Sequence, residues 1–180
     1  MAAGIELSVY YMPGAGGKSL SDHNAAETAD VVNKVNPSFV RVRTFVPQKG
    51  TELIEDISAG LREECTDREK ALELKKMIER LSDADGRLFC DHSINLFEGV
   101  SGSMRADKEK MLSVFDGFES LDEREQRRYQ IARRLGMVGH ISHMALLFDD
   151  QKEKVDALLG MIDTEEDFEA FLLSLLQRYI

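Results

Sequence analysis

The sequence predicts an α/β fold, with two to three parallel strands followed by a mostly helical region. Three observations predict it. Ile5 to Met12 (IELSVYYM) is short, rich in β-branched and aromatic residues, and bounded by Gly4 and Pro13, as a buried strand would be. Phe39 to Val46 (FVRVRTFV) alternates Val40, Val42 and Thr44 with Phe39, Arg41, Arg43 and Phe45, which reads as a second strand. Between them Ala25, Ala29, Val32 and their neighbours form a helix begun by Ser21 or Asp22 and stopped at Asn36-Pro37. A strand, a helix and a second strand at this spacing make a crossover unit with parallel strands.

The remaining elements are mostly helical. Thr51 to Ala59 is a short helix closed by Gly60. Asp67 to Leu81 is a stronger one, with Ala71, Leu74, Met77, Ile78 and Leu81 on one face. Arg87 to Cys90 reads as a third short strand and Ser93 to Glu98 as a helical turn. Gly99 to Ser103 (GVSGS) reads as a flexible loop. Asp107 to Phe118, Asp122 to Leu135, Gln151 to Leu159 and Glu165 to Tyr179 read as helices, the last started by Thr164 and Asp167. Its Phe168, Phe171, Leu172, Leu175 and Leu176 form an apolar stripe suited to core packing or a partner. No internal repeat or low-complexity segment interrupts the chain.

Composition narrows the function. The 180 residues are 43% hydrophobic and 31% charged, a globular composition with no apolar run long enough to span a bilayer. The start, MAAGIELSVYY, lacks the basic region of a secretory signal, so the expected location is cytoplasmic and no membrane partner is expected. A net charge of −10 disfavours a nucleic-acid partner. Arg124, Arg127, Arg128, Arg133 and Arg134 run against this trend and read as a solvated helix face, with a docking patch as the alternative. Arg41 and Arg43 share one face of a strand, where they suit either a surface edge or an oxyanion; Arg43, nearer the strand's C-terminal end, favours the oxyanion.

Tyr10 to Ser19, YYMPGAGGKS, invites comparison with a phosphate-binding loop. Gly17-Lys18-Ser19 fits the end of that motif, but Met12 stands where its first glycine belongs, and Pro13 lacks the N–H such a loop needs. The plainer reading is a turn that uses glycine for positive φ. Yet it lies at the C-terminal end of a parallel strand, where α/β folds place ligands. Metal readings are weak: Cys90, Asp91 and His92, or His140 and His143, lack further ligands at suitable spacing. Two distant cysteines, Cys65 and Cys90, make neither a disulfide framework nor an iron–sulfur ligand set.

Taken together, YYMPGAGGKS, NPSFVRVRTFVPQKGTEL, CDHSINLFEGVSGSM and RRLGM resemble the later part of radical S-adenosylmethionine proteins, in the group of oxygen-independent coproporphyrinogen oxidases and Elp3-like enzymes. The resemblance runs from about Ile5 to about Met137. It implies a partial (β/α) barrel over residues 1–92, followed by a helical region over 93–180, with Ile5–Met12 and Phe39–Val46 as the fifth and sixth barrel strands. It implies that Pro13, Gly14, Gly16, Gly17, Arg43 and Thr44 lie beside S-adenosylmethionine. In that family a CxxxCxxC loop holds a four-iron four-sulfur cluster that reduces the cofactor to a 5′-deoxyadenosyl radical. This chain has neither that loop nor the earlier strands. The resemblance therefore implies the C-terminal part of such an oxidoreductase: a cloned fragment, a split gene or an internal-start product. Such a part is inactive alone, holds no cofactor by itself, and is partnered by the missing barrel half. Faces meant for that half would favour self-association. The other reading from the residues is a stand-alone helical interaction module without cofactor.

Overall fold

A computed structural model describes residues 4–179, with side chains through residue 178. The protein is mixed α/β. A four-stranded sheet has the order β1 (Ser8–Tyr11), β2 (Phe39–Val42), β3 (Arg87–Phe89), β4 (Gly102–Ser103). β1, β2 and β3 are parallel, and β4 returns antiparallel to β3. The helices are α1 (Ser21–Val35), α2 (Glu52–Ser58), α3 (Asp67–Glu79), α4 (Lys108–Glu119), α5 (Glu123–Arg134), α6 (Asp149–Leu159) and α7 (Glu165–Leu176). Among the described residues no helix is long and apolar enough to cross a membrane.

Local chemistry explains the element boundaries. Asn36 ends α1 in the left-handed region at φ 46°, a conformation asparagine tolerates, and Pro37 blocks further helix. Thr66 and Glu69 close a capping box at the start of α3. The Thr164 hydroxyl accepts from Asp167 N to start α7, as its sequence predicts. α1 differs: its N-cap is Leu20 with no side-chain cap, because the Ser21 hydroxyl is turned instead toward Glu73.

Alternation along the strands splits the sheet into two unlike faces. Tyr11, Val40, Val42, Leu88 and Cys90 are buried in the core with Ala25, Ala29 and Val32 of α1 and Leu74, Met77 and Ile78 of α3. α1 and α3 also pack against each other. The same core continues through Phe97, Phe115, Phe118 and Tyr129 to Phe168 and Leu172 of α7. Residues on either side of position 92 thus share one hydrophobic interior. Phe168, Phe171 and Leu172 of the stripe predicted on the last helix face it, while Leu176 packs apart with Val46 and Ile94.

Several expectations are corrected. β1 is not a buried strand: it is an edge, with Tyr10 61% exposed and Ile5 and Leu7 also exposed. The loop read at Gly99–Ser103 contributes β4. Residues 93–98 form turns without a helix. Of the arginine-rich segment only Arg124 is solvated: Arg133 and Arg134 are buried, and Arg127 and Arg128 are half-buried.

Candidate functional site

The C-terminal ends of β1 and β2 lie side by side, extended past the strands by Arg43 N to Tyr11 O (2.9 Å) and Phe45 N to Pro13 O (2.9 Å). The glycine loop turns from there toward the helices. Its organiser is Glu73 on α3, which is 1% exposed. This carboxylate accepts from the Tyr11 hydroxyl at 3.0 Å, Gly14 N at 3.1 Å, the Ser21 hydroxyl at 2.6 Å and Asn24 Nδ2 at 2.6 Å. One side chain therefore ties the end of β1, the loop and the first turn of α1 to α3. Burial, then the Glu73 charge, hold the Tyr11 phenol well above its usual range.

Two loop glycines have physical reasons. Gly14 has φ +88°, and a Cβ there would stand 2.8 Å from Lys70 Cε. Gly17 has φ +68°, and a Cβ would meet Glu63 O at 3.0 Å. Arg62 clamps the loop from outside, donating to Gly14 O and Ala15 O at 3.0 Å while its guanidinium lies over the Phe45 ring. The loop amides turn inward: Ala15 N bonds Met12 O, Gly17 N bonds Gly14 O, and Lys18 N bonds Glu63 O. The Lys18 ammonium is engaged by Glu63 and Glu69. A phosphate cradle needs those groups free, so the loop is not one. What remains open is its crest, with Ala15 exposed and Gly16 half-buried.

The six residues expected at a cofactor separate into two sets. Pro13, Gly14, Gly17 and Thr44 are buried, while Gly16 and Arg43 reach the surface. Thr44 is fixed by Asn95, whose Oδ1 accepts from Thr44 N at 2.9 Å and from the Thr44 hydroxyl at 3.1 Å. Asn95 Nδ2 returns a bond to Val42 O. Arg43 extends over the Tyr10 ring, with Nη1 3.2 Å from His92 Nε2. An arginine only donates, so His92 Nε2 is the acceptor. Burial, and then the Arg43 charge, hold His92 below the usual histidine range.

The helices reach this end of the sheet through a buried polar chain that the sequence does not announce. Arg133 donates to Asn95 O and Ser93 O. Arg134 donates to Ile94 O at 3.0 Å and grips Asp67 of α3 through both Nε and Nη2. Glu169 of α7 accepts from Asp67 N at 2.9 Å. Its other oxygen is buried with no hydrogen-bond partner among the described residues. Burial, aided by the neighbouring Asp67 charge, pushes the Glu169 carboxyl from 4.5 up to about 7. The folded protein therefore holds this proton more tightly than the unfolded chain. The associated stability is complete below pH of about 4 and is lost as pH rises through about 7. Glu169→Gln is expected to raise the melting temperature at pH 8 and to flatten the dependence between pH 5 and 8. The gain is on the order of 1–3 kcal/mol, and thermal melts across that range check it.

The metal candidates do not converge. Cys90 is buried, its thiol pushed upward by burial, while Asp91 is exposed and His92 faces Arg43. His140 and His143 stack edge to face at 4.8 Å beside a short 3-10 helix, Ile141–Leu146. Among the described residues no three metal-ligating side chains come together.

The opposite face of the sheet is a second feature. It carries Tyr10 from β1, Phe39 and Arg41 from β2 with Arg43 beyond, and Arg87 and Phe89 from β3. Arg41 lies 5.4 Å and Arg87 5.7 Å from the centre of the Phe89 ring, which itself meets Phe39 at 5.7 Å. Among the described residues no helix covers this face: Tyr10 and all three arginines are exposed, and both phenylalanines are half-buried. Comparison of the chain with protein-family models, curated proteins and solved structures finds no match.

Proposed function

We propose that the chain is a sector of a (β/α) barrel of the radical S-adenosylmethionine type, and that it works beside a cluster-binding half carrying the CxxxCxxC loop. The observation that carries this reading is the sheet. Three parallel strands follow one another in chain order, with α1 and α3 on one face and the other face bare. Crossovers of one hand place their helices on one face when each strand is laid beside the last, as in a barrel wall; doubly wound sheets reverse direction and cover both faces. Parallel sheets are ordinarily covered on both sides. The bare edge of β1 supports the same reading, because the backbone groups of Ser8 and Tyr10 point away from β2.

The cluster does not fit this chain. Cys65 and Cys90 are separately buried, and two thiols fall short of the usual ligand set. S-adenosylmethionine fits better. Gly16 and Ala15 offer close backbone approach at the strand end, and Arg43 offers a fork for a carboxylate. Pro13, Gly14 and Gly17 shape the loop, and Thr44 holds the backbone from which Arg43 extends. In the family the cofactor supplies radical chemistry once reduced; the part of this chain is to bind and orient it. The reaction would be that of an oxidoreductase.

The test is a titration of the isotopically labelled chain with S-adenosylmethionine, followed by amide chemical shifts. The chain is not expected to retain the cofactor without the cluster-binding half, but about 10 mM cofactor populates even a millimolar encounter: small shifts are expected at Ala15, Gly16 and Arg43, and Arg43→Gln should weaken them. Absence of any shift there would overturn the reading and favour an interaction module without cofactor. The groove between β1 and α1, about 270 Å³ and lined by Val9, Val31, Val35 and Pro37, favours that second reading, since it offers an apolar seat beside a free strand edge.

A further inference from the structure

The uncovered sheet face gathers arginines and aromatic rings. The chain has a net charge of −10, yet Arg41, Arg43 and Arg87 gather on this one face. Among the described residues none of the three makes an ion pair. Glu6, Asp85 and Asp91, the acids nearest in sequence to the strands that carry the face, form no ion pair with them either; Asp85 pairs instead with Arg105. Guanidinium groups gathered on one face without acids give it a positive potential that favours an anionic ligand.

The aromatic rings decide what kind of anion. Arg41 and Arg87 both lie against Phe89, and Arg43 lies over Tyr10. Guanidinium planes therefore already occupy ring faces that a nucleic-acid base would need for stacking. The rings act as seats that hold the arginine forks in place, and a seated fork suits bidentate contact with carboxylate or phosphate. The patch spans only three strands, roughly 10 Å across at the usual strand spacing. That is the width of a small molecule.

We propose that this face binds a small ligand carrying at least two oxyanion groups, carboxylate or phosphate, held by Arg41 and Arg87 beside Arg43. It rests on the barrel reading only in one respect: if the face lines a barrel, that ligand is the substrate.

The test is calorimetric titration of the whole chain with inorganic pyrophosphate and, separately, with citrate, at low salt. Single-site binding that weakens with added salt is expected. The double variant Arg41→Gln/Arg87→Gln should lose about tenfold or more in affinity. Arg124→Gln, at an exposed arginine on α5, should change nothing. Because Arg41 and Arg87 are exposed, circular dichroism should show the double variant folded. Tighter binding of pyrophosphate assigns a phosphate ligand, and tighter binding of citrate assigns a carboxylate. Either result supports the proposal. Lack of binding by both probes, or binding that ignores the double substitution, overturns it. So does tighter binding of a thymidine oligonucleotide than of either probe, or burial of the same arginines in a dimer of the chain. No S-adenosylmethionine enters this titration, so its failure and a failure of the barrel reading are separately visible.

Discussion

Arg134→Ala is expected to cost about 3–5 kcal/mol of folding stability, because it strands a buried carboxylate. The Arg134 side chain is 0% exposed and that of its partner Asp67 is 3% exposed. Surface ion pairs contribute little because water competes for both charges; here water is excluded, so what is left behind matters most. Asp67 would lose two donors from the guanidinium, and Ile94 O would lose a third contact. Urea unfolding should show a lower midpoint with an unchanged slope. Arg124→Ala serves as the contrast: its side chain is 71% exposed and 3.7 Å from Asp156, so about 0.5 kcal/mol or less is expected. Replacing both partners together, Arg134→Met with Asp67→Leu, should recover most of the loss, since neither charge of the pair is then left buried without the other. The damage should also travel. Ile94 and Asn95 form the turn that fixes Thr44, so the Thr44 amide should exchange faster in Arg134→Ala than in Arg124→Ala. A cost under about 1 kcal/mol would mean that the buried chain does not carry the fold.

That polar chain also shows where reading the sequence stops. A helix was legible at Asp122–Leu135, and the structure has it at Glu123–Arg134 with Asp122 as its N-cap, because helical patterning is a local signal. Such patterning could not show that the helix is buried, because Asp67 lies 67 residues from Arg134. A run of arginines looks solvated until a distant acid is placed beside it. The same distance hid Glu73. In the sequence it is one more acid on an amphipathic helix, and only folding brings four donors to it. The parallel strands were legible because their patterning is short-range, and the shared face of Arg41 and Arg43 follows from parity alone. Arg87 joins that face only through the register of β3 on β2, with Arg87 opposite Phe39. β1 was misread as buried because a run such as IELSVYYM describes an inner strand and an uncovered edge equally well. Two-residue β4 is too short for any pattern. The glycine loop was legible as a turn with positive φ, and Gly14 and Gly17 have it. That Glu73 and Arg62, rather than a ligand, take up its backbone groups required the packed structure.

Glu73→Ala should be nearly as damaging as the loss of Arg134, at about 3–5 kcal/mol, and it should act on the candidate site directly. Four hydrogen bonds end on this carboxylate, two of them from the buried Tyr11 hydroxyl and Gly14 N. A buried donor left without an acceptor costs about 1–3 kcal/mol. Ser21 and Asn24 are only half-buried, so water replaces part of what they lose. Glu73→Gln should cost less, because an amide oxygen still accepts, while its NH₂ group faces donors it cannot satisfy. Two readouts separate this local effect from general loosening. The Tyr11 phenol titrates abnormally high partly because of the Glu73 charge, so in Glu73→Ala its absorbance transition should move down toward the ordinary value. The Gly14 amide should lose protection from exchange while Leu88, in the core, keeps it. If the loop crest presents a cofactor, the variant should also lose the shifts at Ala15 and Gly16, although Glu73 touches neither residue. A fold that tolerates Glu73→Ala with the Tyr11 titration unmoved would show that packing of α1 against α3 positions the loop without the carboxylate.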